Sequence, residues 1–158
     1  MKTYITHSTF KECARALSHR DLRKARLNAR DLLLSLESEN DQEHDLPWSE
    51  MWRGHEGSLC TYGLFICVEW YERSGGGWEM YNSFERHRKL HVKFRRSIVF
   101  PWWLEDEKLH LSHRAALAFQ DPDHYARLFT EVVPSSNCWW PPSIKPPVYT
   151  DPADEEEF

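Results

Sequence analysis

Apolar positions in the first part of the chain recur at helical spacing. Phe10, Ala14 and Leu17 fall on one stripe behind Ser8, a residue suited to capping, and predict a short first helix. A second helix is predicted over residues 19–35. There Leu22, Arg26 or Leu27, Leu32, Leu33 and Leu36 mark one face, and charged residues mark the other. Residues 37–45 are polar and acidic and read as an exposed loop. Ser58 then offers a cap, and residues 59–73 are apolar nearly all round, which predicts a buried central helix. Gly75-Gly76-Gly77 ends it as a hinge or turn, because neither the strand nor the helix opening of a phosphate-binding loop flanks it.

Residues 78–90 predict a further, irregular helix, and residues 91–100 alternate enough for either a short strand or an extended connection. Pro101 breaks the chain before a helix predicted over 104–119. Asp121-Pro122 starts another short helix to residue 129, with the aspartate as cap and the proline in the first turn. After Val133 periodicity is lost in a Pro-rich stretch, and Asp154-Glu155-Glu156-Glu157 predicts a solvated tail. No internal repeat is visible. The pattern predicts a mainly α, single compact helical domain over residues 1–133, with the Pro-rich segment and acidic tail of 134–158 packed on it or extending from it.

Length and composition sharpen this little. A chain of 158 residues suits one domain. The aromatic share of 14%, with eight Trp, supplies core area and also faces on which bases or sugars stack. The N-terminus lacks an apolar signal region, and no run is long enough to span a bilayer. Cys13, Cys60, Cys67 and Cys138 show no CxxC spacing. The expectation is reduced thiols, a cytoplasmic chain and no membrane partner.

Charge distribution says more than the net −5. Residues 1–30 carry Lys2, Lys11, Arg15, Arg20, Arg23, Lys24, Arg26 and Arg30 against only Glu12 and Asp21. A second run holds Arg86, Arg88, Lys89, Lys93, Arg95 and Arg96, with His87 and His91 inside it. Such clusters suit phosphate backbones, since each neutralised phosphate releases counterions. The plainer reading is solvated helix faces, or cations paired with the acidic loop and tail. His87/His91 and His110/His113 stand at helical spacings that could share a metal or a phosphate, but no HExxH or familiar carboxylate ligand accompanies them, so no metal and no cofactor is expected. Cys60 and Cys67 read as core residues. The run 109–114, with His110, His113 and Arg114, and the segment 121–125 gather donors at a helix start. They suit an anion, or simply a solvated face.

Several stretches together resemble a bacterial and viral family distantly related to the pyrimidine-dimer DNA glycosylases. They are Thr3-Tyr4 through Phe10, Leu22-Arg23-Lys24-Ala25-Arg26, Met51-Trp52-Arg53-Gly54-His55-Glu56, Tyr62-Gly63 with Glu69-Trp70, Pro101-Trp102-Trp103-Leu104, Leu109 through Arg114, Asp121-Pro122-Asp123-His124-Tyr125, and Trp140-Pro141-Pro142. They run in the same order across nearly the whole chain.

The resemblance implies the glycosylase fold, a duplex-DNA partner, and extrusion of a base. It also implies repair chemistry in which an N-terminal amine attacks the sugar and a glutamate on the early helix assists. Carried over, the catalytic positions are Met1 and Asn28. The nucleic-acid-binding positions are Arg20, Arg23, Lys24, Arg26, Arg53, His110, His113, Arg114 and Tyr125. Asn28 stands where the glutamate belongs and cannot take a proton at neutral pH. The chain opens Met1-Lys2 rather than with a small nucleophilic residue. The expected function is a DNA-glycosylase-like, DNA-binding protein, with base excision by altered chemistry as its enzymatic form. The alternative is a non-catalytic DNA-binding or protein-interaction module on the same scaffold, the acidic tail serving a protein partner.

Overall fold

The computed structural model describes residues 2–38, 46–95 and 98–147. Among the described residues there are seven α-helices and no strand: α1 (Phe10–Ala16), α2 (His19–Glu37), α3 (Pro47–Glu50), α4 (Glu56–Ser74), α5 (Trp78–Arg95), α6 (Glu107–Gln120) and α7 (Pro122–Leu128), with a 3-10 turn at Trp102–Glu105 before α6. The protein is mainly helical, as its periodicity predicts. None of these helices is long and apolar enough to cross a membrane.

Helix α4 is the centre of the packing and lies against α1, α2 and α5. Its close approach to α5 depends on Gly63. A Cβ there would stand 2.6 Å from the ring of Phe84, itself buried. Facing α4, helix α2 turns in Leu22, Ala25, Ala29, Leu32 and Leu33. Burying each of those leucines contributes about 1.5–3 kcal/mol. At the middle of the core, Trp52, Tyr62, Phe10 and Trp103 meet edge to face or tilted, with centroids 4.9–6.2 Å apart.

The helix ends follow local chemistry, with some shifts from expectation. Thr9, not Ser8, caps α1, accepting from the Glu12 amide at 3.3 Å while its hydroxyl donates to the Glu12 carboxylate at 2.7 Å. Ser18 caps α2 through the Asp21 amide. Helix α4 begins two residues before Ser58, which lies buried inside it and donates to the Val99 carbonyl. Gly75 ends α4 in the left-handed region at φ 72°. Helix α5 continues to Arg95, so the first half of 91–100 is helix, neither strand nor extended connection. Leu90 and Val92 are both exposed there, so no buried face rewards the alternation. Asp106 interrupts the expected 104–119 helix and caps α6 through the Lys108 amide.

Residues 135–143 pack onto the helical body. The Ser135 amide donates to Ala115 O, Trp139 N to Ser112 Oγ, and Trp102 Nε1 to Pro142 O. The acidic run 154–157, most of the predicted acidic loop (39–45) and Arg96 lie outside the described residues.

Candidate functional site

The N-terminal segment is extended and threads between α6 and the core, which fixes where the start of the chain emerges. Thr3, Ile5 and Thr6 are fully buried. Trp52 Nε1 donates to Thr3 Oγ1 at 2.8 Å, and the Ile5 amide donates to His113 Nδ1 at 2.8 Å. Arg114 Nε donates to the Thr6 carbonyl at 2.8 Å, and Gln120 Nε2 to the Tyr4 hydroxyl at 2.8 Å. An extended strap without sheet partners must find other partners for its backbone, as the Ile5 amide and the Thr6 carbonyl do here. These four bonds deliver residue 2 to the exposed flank of α2.

There the strap and α2 enclose a cleft of about 340 Å³. Its walls are Lys2, Tyr4, Leu17, Asp21, Lys24, Ala25, Asn28, Trp48, Tyr62 and Gln120. The α2 contribution is one stripe at positions i, i+3, i+4 and i+7. Asn28 Nδ2 donates to the Lys2 carbonyl at 3.1 Å, so the helix position expected to hold the acid touches the N-terminal segment. The Lys2 ammonium lies 4.8 Å from the centre of the Trp48 ring. Asp21 accepts from the Tyr125 hydroxyl at 2.8 Å and from Arg20 Nε at 3.3 Å. Burial pushes the Tyr4 phenol up, with Gln120 opposing. The cleft therefore combines a carboxylate, two amides, two ammonium groups and aromatic walls in the space of one small ligand.

The residues singled out from sequence divide into two sets. Arg23 and Lys24 are exposed on α2, and Lys24 edges the cleft. Arg20 is also exposed, although it reaches Asp21 and Asp121 at 3.3 Å each. Arg26 instead packs on Trp70 at 4.3 Å, its Nε buried without a partner, and desolvation lowers its pKa. Arg53 pairs with Glu50 at 2.7 Å.

His110, His113 and Tyr125, expected to contact a polymer, are buried, and their polar atoms meet partners inside the protein. His110 Nε2 bonds to the Leu104 carbonyl. His113, held neutral by burial with its pKa lowered to about 3, accepts from Ile5 N and donates Nε2–H to Trp139 O. Tyr125 accepts from the Ser18 amide and donates to Asp21. Arg114 is taken up by Thr6 and by Glu131 at 2.6 Å. These residues hold the strap and α2 in place. Met1 lies outside the described residues.

Two cations of the second basic run are answered locally. Arg88 and Lys89 pair with Glu85, one turn earlier. His87 and His91 both bond to the Glu37 carboxylate, tying α5 to the end of α2. Among the described residues no group of three or more His, Cys, Asp or Glu is arranged to hold a metal ion. All four cysteines are free, and burial pushes Cys13 and Cys138 up to about 11 and Cys60 and Cys67 up to about 12, far from a reactive thiolate.

A larger groove of about 660 Å³ is lined mainly by Phe10, Phe65, Phe100, Pro101, Trp102 and Leu104. Ser8, Thr9, Lys11, Thr61 and Glu105 complete its lining; the smaller cleft is the candidate site because it joins the chain start to the stripe of Asp21, Lys24 and Asn28 on α2. Sequence reading missed Asp21, Tyr4, Trp48, Tyr62 and Gln120 as members of that site. For Asp21 a signal existed, because it shares the helical stripe of Lys24 and Asn28. Comparison of the chain with protein-family models, with curated proteins and with solved structures found no match.

Proposed function

We propose that this chain is a DNA-glycosylase-like protein that binds duplex DNA across the exposed flank of α2 and receives one extruded nucleotide in the cleft. The observation that carries the reading is the Asn28–Lys2 hydrogen bond. It supports the pairing of early helix and chain start that the family resemblance implies. Arg20, Arg23, Lys24 and Lys2 supply cations at or near the rim, and Trp48 and Tyr4 supply faces for a base.

An amide at position 28 favours binding without strand cleavage, since it has no proton to exchange at neutral pH. One observation favours a second reading, excision. Asp21 brings a carboxylate into the same cleft two turns earlier on α2. In that reading an amine attacks the sugar C1′, the base leaves, and the carboxylate handles the proton transfers.

Borohydride trapping on duplexes with an abasic site or a pyrimidine dimer separates the two. A covalent adduct selects excision; salt-sensitive binding with no adduct between pH 5 and pH 9 (the span of roughly neutral amine and acid chemistry) selects binding alone. The parent proposal has its own test. Arg23→Glu with Lys24→Glu should weaken duplex binding and reduce the slope of log K against log salt by about 2. An unchanged slope and affinity would remove α2 as the DNA-facing surface.

A further inference from the structure

One group in the wall of the cleft has no use in simple backbone binding. Tyr62 is fully buried, lines the cleft, and its hydroxyl has no hydrogen-bond partner. The other two phenols nearby are engaged, Tyr4 with Gln120 and Tyr125 with Ser18 and Asp21. A buried hydroxyl left unpaired costs free energy, and a fold retains one where something else completes it. Burial also pushes the Tyr62 phenol up, so it remains a neutral O–H that can donate.

Asp21 adds the complementary function. Its carboxylate offers about four lone-pair sites, and Tyr125 and Arg20 account for one bond on each oxygen. We infer that the Tyr62 hydroxyl and the Asp21 carboxylate form a subsite that reads the hydrogen-bonding edge of one extruded nucleobase. This rests on the proposed DNA reading and adds what the cleft recognises.

A donor and an acceptor on the walls of one cleft match an edge that carries an acceptor next to an N–H, which the pairing edge of a nucleobase provides. A phosphate does not fit, because it brings only acceptors and would meet the Asp21 carboxylate. The volume, at the small end of ligand cavities, suits one nucleotide, and Trp48 and Tyr4 flank it with aromatic surface.

The test compares two short duplexes in fluorescence anisotropy, one with a mismatched 2-aminopurine and one with a tetrahydrofuran abasic analogue at the same position. The wild-type chain should bind the 2-aminopurine duplex more tightly and raise its fluorescence as the base unstacks. Tyr62→Phe should lose about tenfold in affinity for that duplex. It should keep the wild-type affinity for the abasic duplex and the wild-type salt slope, and a thermal melt reports whether it is folded. If Tyr62→Phe binds both duplexes like wild type, or if wild type prefers the abasic duplex, the base-reading subsite is wrong while DNA binding stands. If wild type binds neither duplex better than Arg23→Glu/Lys24→Glu, the DNA reading falls and the subsite with it.

Discussion

Replacing Tyr62 with Phe removes one oxygen and leaves the ring in place. The ring packs edge to face on Phe10 at 5.6 Å and tilted on Trp52 at 5.8 Å, and neither contact needs the hydroxyl. The side chain is fully buried and the oxygen has no partner, so the folded state carries a desolvation cost that water relieves in the unfolded chain. An unsatisfied buried hydroxyl costs about 1–3 kcal/mol. Tyr62→Phe should therefore stabilise the unliganded protein by about 1–2 kcal/mol. In a domain of this size that corresponds to a rise in Tm of roughly 2–8 °C. Urea unfolding followed by tryptophan fluorescence measures it, and the m-value should not change, since the surface exposed on unfolding is the same. A variant less stable than wild type by 1 kcal/mol or more (about the size of one net hydrogen bond) would refute the reasoning. It would mean that the hydroxyl is satisfied in the folded protein, and the base-reading subsite would lose its premise.

Two further outcomes follow from the packing. Gly63→Ala drives a methyl group into the Phe84 ring, and with both helices fixed by their neighbours it should cost about 1–3 kcal/mol in urea unfolding. Gly76→Ala, where an added Cβ meets nothing within 4 Å, is the control. His113, with its pKa lowered from 6.5 to about 3, binds a proton more readily in the unfolded chain. Its neutral form therefore contributes stability that is fully present above pH 6.5 and is lost progressively as pH falls toward 3. His110 and His7, also lowered chiefly by burial, act in the same direction. Stability measured by urea unfolding from pH 7.5 down to pH 4 (the window set by these shifts) should fall by several kcal/mol, and His113→Asn should flatten that dependence.

The helices were legible because their signals are local. The stripe of Leu22, Leu32 and Leu33 needs only the period of a helix, and Asp121-Pro122 needs only cap and first-turn chemistry. The errors lie where tertiary partners decide. Residues 91–95 alternate in sequence, yet the bonds from His87 and His91 to Glu37, 50 and 54 residues away, go with a continuous helix. The N-terminal strap has no periodicity at all, and its partners stand 49 residues away at Trp52 and 108 away at His113 and Arg114. The cleft draws on the strap, α2, α3, α4 and α6, so no spacing rule could have gathered its walls.

The two classes of error are connected. His110, His113, Arg114 and Tyr125 read as a donor-rich surface because polar residues at a helix start usually face water or an anion. Here each finds a partner inside the protein, and three of them grip the N-terminal strap or the first turn of α2. What those internal bonds position is the cleft: residue 2 beside Asn28, with Tyr4, Lys24, Asp21 and Tyr62 among its walls. A charge on α2 therefore means different things at adjacent positions. Lys24 faces the cleft, Arg23 faces solvent, and Arg26 has left the charged face to cover Trp70. Only the first two remain for a phosphate backbone, with Arg20 held near them by Asp21 and Asp121. The exposed charge of the basic helix is thus narrower than its composition implies, and beside it lies a cleft whose wall contains the unanswered Tyr62 hydroxyl.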